Sequence, residues 1–138
     1  MNRSSGGFMK HRNVKNLDHK QAAVQFLQLV VAGQVEKAYQ TYVDFGGKHH
    51  NPHFPTGFPA LEKAMIEDNV QFPNKQLIVK HVLGDDALVA VHCHILPSPG
   101  EAEYITVHLF RFQGDKIVEL WDIGEPVPAD SPNKDGAF

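Results

Sequence analysis

The chain has 138 residues, of which 42% are hydrophobic and 21% charged, and its formal net charge is −3 at pH 7. These values are typical of one globular domain that buries a core without disulfides, and they exclude an intrinsically disordered chain. The slightly negative charge leaves no basic surface for phosphate groups. We therefore expect neither nucleic acid nor an anionic membrane as a partner.

The cysteine content and the N-terminal segment bear on the compartment. Cys93 is the only cysteine, so the chain forms no intrachain disulfide and contains no CxxC redox motif. Residues 1–15 lack the apolar run of a secretory signal, and no later segment is apolar for long enough to span a bilayer. We expect a cytoplasmic protein with a flexible segment over residues 1–15 and a single domain over residues 16–138.

Three helices are predicted in the first half of the chain. Apolar residues recur at three- and four-residue spacing over residues 17–30 and again over residues 35–42. The pair Gly46-Gly47 is expected to end the second helix. A third helix is expected to begin near Pro59 and to end before Pro73.

Beyond Lys75 the apolar pattern alternates, which predicts β-strands. Turn-forming residues separate the runs, so consecutive strands should pair as antiparallel hairpins in a meander. Helices followed by strands indicate an α+β fold, with helices packed on one face of an antiparallel sheet. The tail after Pro126 is expected to be an extended cover segment. The four predicted strands span residues 77–83, 88–96, 104–112 and 116–123.

Several polar side chains occupy these otherwise apolar strands. Because side chains alternate across a strand, His92 and His94 share one face of the second strand, and Asp122 faces away from Trp121 on the fourth. His108 lies on the third strand. A buried polar group without a partner costs on the order of a few kcal/mol, so we expect these groups to line a cavity. The alternation alone does not tell whether His92 and His94, His108, and Asp122 lie on the same face of the sheet.

Four stretches of the sequence carry a resemblance to a known family. They are His49-His50-Asn51-Pro52, Val91-His92-Cys93-His94, His108-Leu109-Phe110-Arg111-Phe112, and the segment from Lys116 to Asp122 with the Pro126-Val127-Pro128 tail. In these stretches the chain resembles SnoaL-like members of the nuclear transport factor two-like superfamily. The resemblance implies a cone-shaped fold, in which N-terminal helices pack on a strongly curved antiparallel sheet and enclose a pocket. It also implies a homodimer formed through the outer sheet face, and chemistry without cofactor or metal.

The resemblance also implies a class of reaction. SnoaL-like relatives include cyclases that close a ring by aldol condensation, as well as isomerases and dehydratases. In the cyclases a pocket aspartate on the last strand is the base, and Asp122 occupies the matching position. Many relatives have aspartate where this chain has His108 and glutamine where it has His49, so the reaction is not carried over unchanged. We predict that Asp122 removes a proton next to the carbonyl of a small apolar compound, while His92 or His108 donates to the enolate oxygen.

Other residues are assigned to the same pocket. His50 is expected to shuttle a second proton or to donate a hydrogen bond to the ligand, or else only to bond the backbone of its turn. His49 and His53 are expected to face solvent. The aromatic candidates are expected mainly to pack in the core and only secondarily to form the wall of the pocket. The residues expected to contact the ligand are His94, Asn51, Phe110, Tyr39, Tyr42, Phe26 and Leu120.

Two alternatives remain open from the sequence. The first is a protein that binds a small ligand without turnover, in which Asp122 only orients a histidine or caps a backbone amide. The second is a metal site, because His92, His94, His108 and Asp122 would together form a ligand set suited to zinc or non-haem iron. We favour the cofactor-independent enzyme.

Overall fold

The computed structural model describes residues 18–138 of the chain. The segment expected to be flexible, residues 1–15, lies outside these described residues. The three helices are α1 (His19–Val31), α2 (Val35–Tyr42) and α3 (Phe58–Gln71). The five strands are β1 (Val43–His49), β2 (Gln76–Gly84), β3 (Leu88–Leu96), β4 (Tyr104–Gln113) and β5 (Lys116–Pro126).

Local sequence signals account for the starts of α1 and α3. Asp18 and Gln21 form a capping box at the start of α1, in which each side chain accepts a hydrogen bond from the backbone N–H of the other residue. In α3, Pro59 occupies the first turn, where its missing N–H costs nothing. The three predicted helices are thus confirmed.

The strands form one open sheet in the order β1-β5-β4-β3-β2. From β2 to β5, consecutive strands pair antiparallel, which confirms the predicted meander. The helices pack on one face of this sheet, with α1 against β2 and β3 and α3 against β1. The fold class is therefore α+β, as predicted.

Strand β1 was not predicted, because its two glycines indicate the end of a helix. It pairs parallel with β5, with Val43 opposite Ile117 and His49 opposite Leu120. A Cβ atom at Gly47 would overlap the backbone carbonyl of Val118 and lie 3.0 Å from the Phe58 ring. Glycine here permits close approach of two backbones rather than ending an element.

The strand register decides which polar residues share a face. Val91 of β3 pairs with His108 of β4, and His108 pairs with Asp122 of β5. Val91 is fully buried beneath the helices, so His108 and Asp122 lie on the inner face of the sheet. His92 and His94 alternate with Val91 and therefore lie on the outer face.

An aromatic cluster joins the helices to the inner face. The Phe26 ring lies 5.2 Å from the Tyr39 ring and 5.8 Å from the Phe110 ring, measured between centroids. Phe58 of α3 completes the cluster, with its centroid 6.3 Å from that of Tyr39. All four side chains are buried, so they hold the helices in a fixed position against the inner face of the sheet.

The chain after β5 returns to the outer face of the sheet. The ring of the C-terminal residue, Phe138, stacks on His94 with centroids 3.9 Å apart. This contact agrees with the predicted cover segment. None of the helices in the described part of the chain is long and apolar enough to cross a membrane.

Candidate functional site

The helices and the inner face of the sheet enclose a cavity of about 570 Å³. This volume is within the range of typical small-molecule sites, roughly 300–1,000 Å³. The exposed residues Phe54, Tyr104 and Ile123 line its outer part. Most of the remaining wall is apolar and is formed by side chains of α1, α3 and the inner sheet face, including Phe26, Leu27, Val30, Leu61, Met65 and Leu120.

A chain of hydrogen bonds crosses one wall of the cavity. Asn51 Nδ2 donates to Asp122 Oδ2 at 3.0 Å, and His108 Nδ1 lies 2.7 Å from Asp122 Oδ1. On the other side of the imidazole, His108 Nε2 lies 3.1 Å from Thr106 Oγ1. Asn51 comes from the loop after β1, Thr106 and His108 from β4, and Asp122 from β5. All four residues line the cavity.

The hydrogen-bond partners of Asp122 and His108 determine where the protons lie in this series of hydrogen bonds. An ionised carboxylate only accepts hydrogen bonds, so the proton between the pair is on His108 Nδ1. In the neutral imidazole, Nε2 then carries a lone pair and accepts from the Thr106 hydroxyl. Both oxygens of Asp122 have partners, whereas Nε2 of His108 can exchange its Thr106 contact for a ligand atom.

The surroundings of Asp122 keep its carboxylate ionised. Burial raises the pKa of Asp122, but the hydrogen bond from His108, the charge that His108 carries when protonated and the hydrogen bond from Asn51 together lower it by more. The pKa of Asp122 is thus below its ordinary value. A carboxylate with a lowered pKa is a weak base and a good partner for an imidazolium.

His49 fixes the loop that presents Asn51. It is only 9% exposed, and its Nε2 lies 2.7 Å from the carbonyl oxygen of Pro55. The backbone N–H of Asn51 donates to His49 Nδ1 at 3.1 Å. A ring that donates from Nε2 and accepts at Nδ1 is neutral. The expectation that His49 faces solvent is therefore wrong, while His53 is exposed as expected and lies at the rim of the cavity.

His92 and His94 were expected in the pocket, and the structure places them on the outer face of the sheet. His92 Nδ1 lies 2.9 Å from Nδ1 of His81, and His94 Nε2 lies 2.7 Å from Glu103 Oε1. The error arises because Val91 and Cys93, rather than the histidines, face the helices. Among residues 18–138, no three His, Cys, Asp or Glu side chains are grouped so as to hold a metal ion. The ligands considered in the metal hypothesis lie on two faces of the sheet, with His92 and His94 on the outer face and His108 and Asp122 on the inner face.

His50 also points away from the cavity. Its Nε2 lies 2.6 Å from Glu119 Oε2, and its ring stacks on Trp121 with centroids 5.1 Å apart. Arg111 Nε donates to the other oxygen of Glu119 at 3.1 Å. These contacts correct the expectation that His50 shuttles a proton in the pocket, because Glu119 and Trp121 belong to the outer face.

The remaining predicted ligand contacts divide into two groups. Tyr42 is buried and donates its hydroxyl hydrogen to Gln25 Oε1 at 2.6 Å, and it does not line the cavity. Phe110 is buried beneath His108, with centroids 6.4 Å apart, and belongs to the core. Both assignments are corrected. The predicted residues that do line the cavity are Phe26, Tyr39, Asn51, Leu120, His108 and Asp122.

The cavity residues missed from the sequence include three polar ones, Thr106, Asp68 and Lys75. Thr106 could have been found, because it precedes His108 by two positions on one strand and so shares its face. Asp68 and Lys75 form an ion pair at the cavity wall, between the end of α3 and the start of β2. Their approach depends on how the helix returns to the sheet, and no local pattern indicates it.

Comparisons with known proteins bear on the fold. No protein-family model matches the sequence, and no curated protein sequence matches it. Solved structures do match. AclR, a proposed hydroxylase from Streptomyces galilaeus, is 18% identical with a TM-score of 0.66, over 77% of this chain and 87% of that chain. A SnoaL-like polyketide cyclase from Agrobacterium tumefaciens is 13% identical with a TM-score of 0.65, over 79% and 92% of the two chains.

A third similar structure is an NTF2-like protein of unknown function from Cytophaga hutchinsonii. It is 12% identical with a TM-score of 0.64, over 85% of this chain and 95% of that chain. At such identities the similarity establishes the fold. The chain thus has the nuclear transport factor two-like fold, shared with a SnoaL-like cyclase, as the resemblance of its sequence implied.

Proposed function

We propose that the protein is a cofactor-independent enzyme that moves a proton on a small, neutral, apolar carbonyl compound bound in the cavity. The observation that carries this proposal is the hydrogen-bonded chain Asn51, Asp122, His108 and Thr106 on the cavity wall. Aldol cyclisation, isomerisation and many dehydrations all require removal of a proton next to a carbonyl group. The likeness to a SnoaL-like cyclase is consistent with that class of reaction.

In the proposed mechanism His108 is the base and Asp122 is its positioning partner. The substrate proton passes to His108 Nε2, and the electrons of the C–H bond form the enolate. The positive charge on the imidazole is then stabilised by the Asp122 carboxylate, 2.7 Å from Nδ1. This reverses the roles predicted from the sequence, because both oxygens of Asp122 already have partners.

The charges that line the cavity favour a neutral ligand. Asp122 is paired with His108, and Asp68 is paired with Lys75. The side chains of His108 and Asp122 are only 15% and 20% exposed, so a charged group placed beside them would lose much of its hydration. With its carboxylates already paired, the cavity offers a charged ligand little compensation.

Deuterium exchange tests the proposed chemistry without knowledge of the natural substrate. Unlabelled 1-tetralone, a small ring ketone, is incubated with the protein in D2O, and loss of the proton signal next to the carbonyl is followed by NMR. The wild-type protein should accelerate this exchange. Replacing the base, His108→Gln, should lower the accelerated rate by about 100-fold or more.

A histidine on the opposite face of the sheet provides the matched control. His92→Gln should retain the accelerated exchange, because this side chain has no contact with the cavity. Equal exchange by the wild-type protein and His108→Gln would contradict the proposal. Tight binding of 1-tetralone with no exchange by the wild-type protein would instead indicate a ligand-binding protein without turnover.

A further inference from the structure

The hydroxyl group of Tyr39 is a polar group of a cavity-lining residue that the proposed reaction does not use. Tyr39 is 1% exposed and lines the cavity together with His108 and Asp122. Its hydroxyl forms no hydrogen bond with any of the described residues. Tyr42, one turn later on α2, is buried to the same degree, at 2% exposure, and its hydroxyl is bonded to Gln25.

The position of the Tyr39 ring is fixed by aromatic neighbours. Its centroid lies 5.2 Å from that of Phe26 and 6.3 Å from those of Phe45 and Phe58. A ring held in this way cannot easily turn its hydroxyl toward solvent. Buried tyrosine hydroxyls usually have a partner, so an unpartnered one on a cavity wall indicates that the partner is a ligand atom.

The electrostatic surroundings of Tyr39 determine what kind of partner it can bind. Burial, followed by the negative charges of Asp122 and Glu62, raises the pKa of Tyr39 far above its ordinary value. The group therefore remains a neutral phenol and can donate a hydrogen bond at any physiological pH. Tyr39 and the proposed proton-transfer pair line the same cavity.

We propose that Tyr39 donates a hydrogen bond to the carbonyl oxygen of the bound ligand. The identification of that oxygen as a carbonyl rests on the proposed function, but the hydrogen bond itself requires no turnover. When His108 takes the substrate proton, negative charge develops on the same oxygen, and the O–H of Tyr39 stabilises it without transferring its own proton. Tyr39 is in this sense a catalytic residue as well as a ligand-binding one.

A pair of matched ligands isolates this one interaction. 1-Tetralone and tetralin have the same ring skeleton and differ in that the carbonyl group of the ketone is replaced by CH2 in the hydrocarbon. Dissociation constants for both are measured by NMR titration with the wild-type protein, Tyr39→Phe and Tyr42→Phe. The wild-type protein should prefer 1-tetralone, and Tyr39→Phe should reduce that preference by about threefold to tenfold.

Tyr42→Phe is the control, since it removes a hydroxyl from the same helix without touching the cavity. It should leave the preference for the ketone unchanged and should lower the melting temperature, because Gln25 loses a partner. Tyr39→Phe should not lower the melting temperature, since no hydrogen bond within the described protein is lost.

Three results would overturn the assignment of Tyr39. They are a wild-type protein with no preference for the ketone, a preference that is unchanged in Tyr39→Phe, and an equal loss of affinity for both ligands in that variant. Failure of the enzyme proposal is distinguishable from these results. If the wild-type protein catalyses no deuterium exchange and Tyr39→Phe still lowers the ketone preference, the donor assignment stands and the proposed reaction does not.

Discussion

The two hydrogen-bond partners of Asp122 change the role that we propose for this residue. The sequence resemblance predicts that Asp122 is the base, and burial alone would raise its pKa toward that use. His108 and Asn51 occupy both of its oxygens and lower the pKa instead. The basic atom that can reach a ligand is then Nε2 of His108.

The lowered pKa of Asp122 makes a prediction about stability and pH. A group whose folded pKa lies below its unfolded value, about 3.9 for aspartate, stabilises the fold above that pH. The stabilisation is lost as the pH falls through the folded pKa. We expect Asp122→Asn to lower the free energy of unfolding by about 1–3 kcal/mol at pH 7, and by less at pH 3.

Urea denaturation of the two proteins at both pH values measures this effect. The comparison between pH values separates the ionic contribution of Asp122 from the cost of the substitution itself. An equal loss of stability at pH 7 and pH 3 would show that the charge of Asp122 contributes nothing to the fold.

At the scale of the element, β1 connects the core to the site. It pairs parallel with β5, and the backbone N–H of His50, just beyond its end, still donates to the carbonyl of Leu120 at 2.8 Å. Asn51 follows directly and reaches Asp122. The position of β1 against β5 therefore determines where the Asn51 amide lies.

Gly47→Ala tests this dependence on close backbone approach. The added methyl group would overlap the Val118 carbonyl, so β1 must move away from β5, at a cost of about 1–3 kcal/mol in unfolding free energy. Deuterium exchange with 1-tetralone should fall as well, because Asn51 moves with the strand.

The neighbouring glycine provides the control for this variant. A Cβ atom at Gly46 would meet only the Asp44 side chain, at 3.3 Å, which can move aside. Gly46→Ala should therefore change the stability measured by urea denaturation much less than Gly47→Ala. Equal effects at the two positions would contradict the close-approach explanation.

Comparison of the predicted and observed elements shows which of them depend only on residues that are close in the sequence. The helices and the four strands of the meander follow from spacing within 8 to 14 residues, and the structure confirms them. Strand β1 was missed because its partner lies about 70 residues later in the chain. The alternation of His92 and His94 with Val91 was correct, but which face meets the helices depends on packing between distant segments.

At the scale of the whole molecule, one prediction concerns the outer face of the sheet. The family resemblance predicts a homodimer formed through this face, where Trp121 stacks on His50 and lies 5.4 Å from the Arg111 guanidinium. Multi-angle light scattering should then give twice the mass of the 15.4 kDa chain. Trp121→Ala should lower the fraction of dimer, and a wild-type protein with the mass of one chain would contradict the prediction.

The His108–Asp122 pair belongs to a single hairpin, formed by β4 and β5, while much of the apolar wall of the cavity is contributed by α1 and α3. In the proposed mechanism the proton-transfer pair and much of the apolar wall thus belong to separate parts of the chain. Substitutions on the helices, at Leu27 or Met65 for instance, could admit compounds of a different shape and leave the proton-transfer groups undisturbed. Such a division of labour would allow this scaffold to acquire new substrates in laboratory evolution by changes in its helices alone.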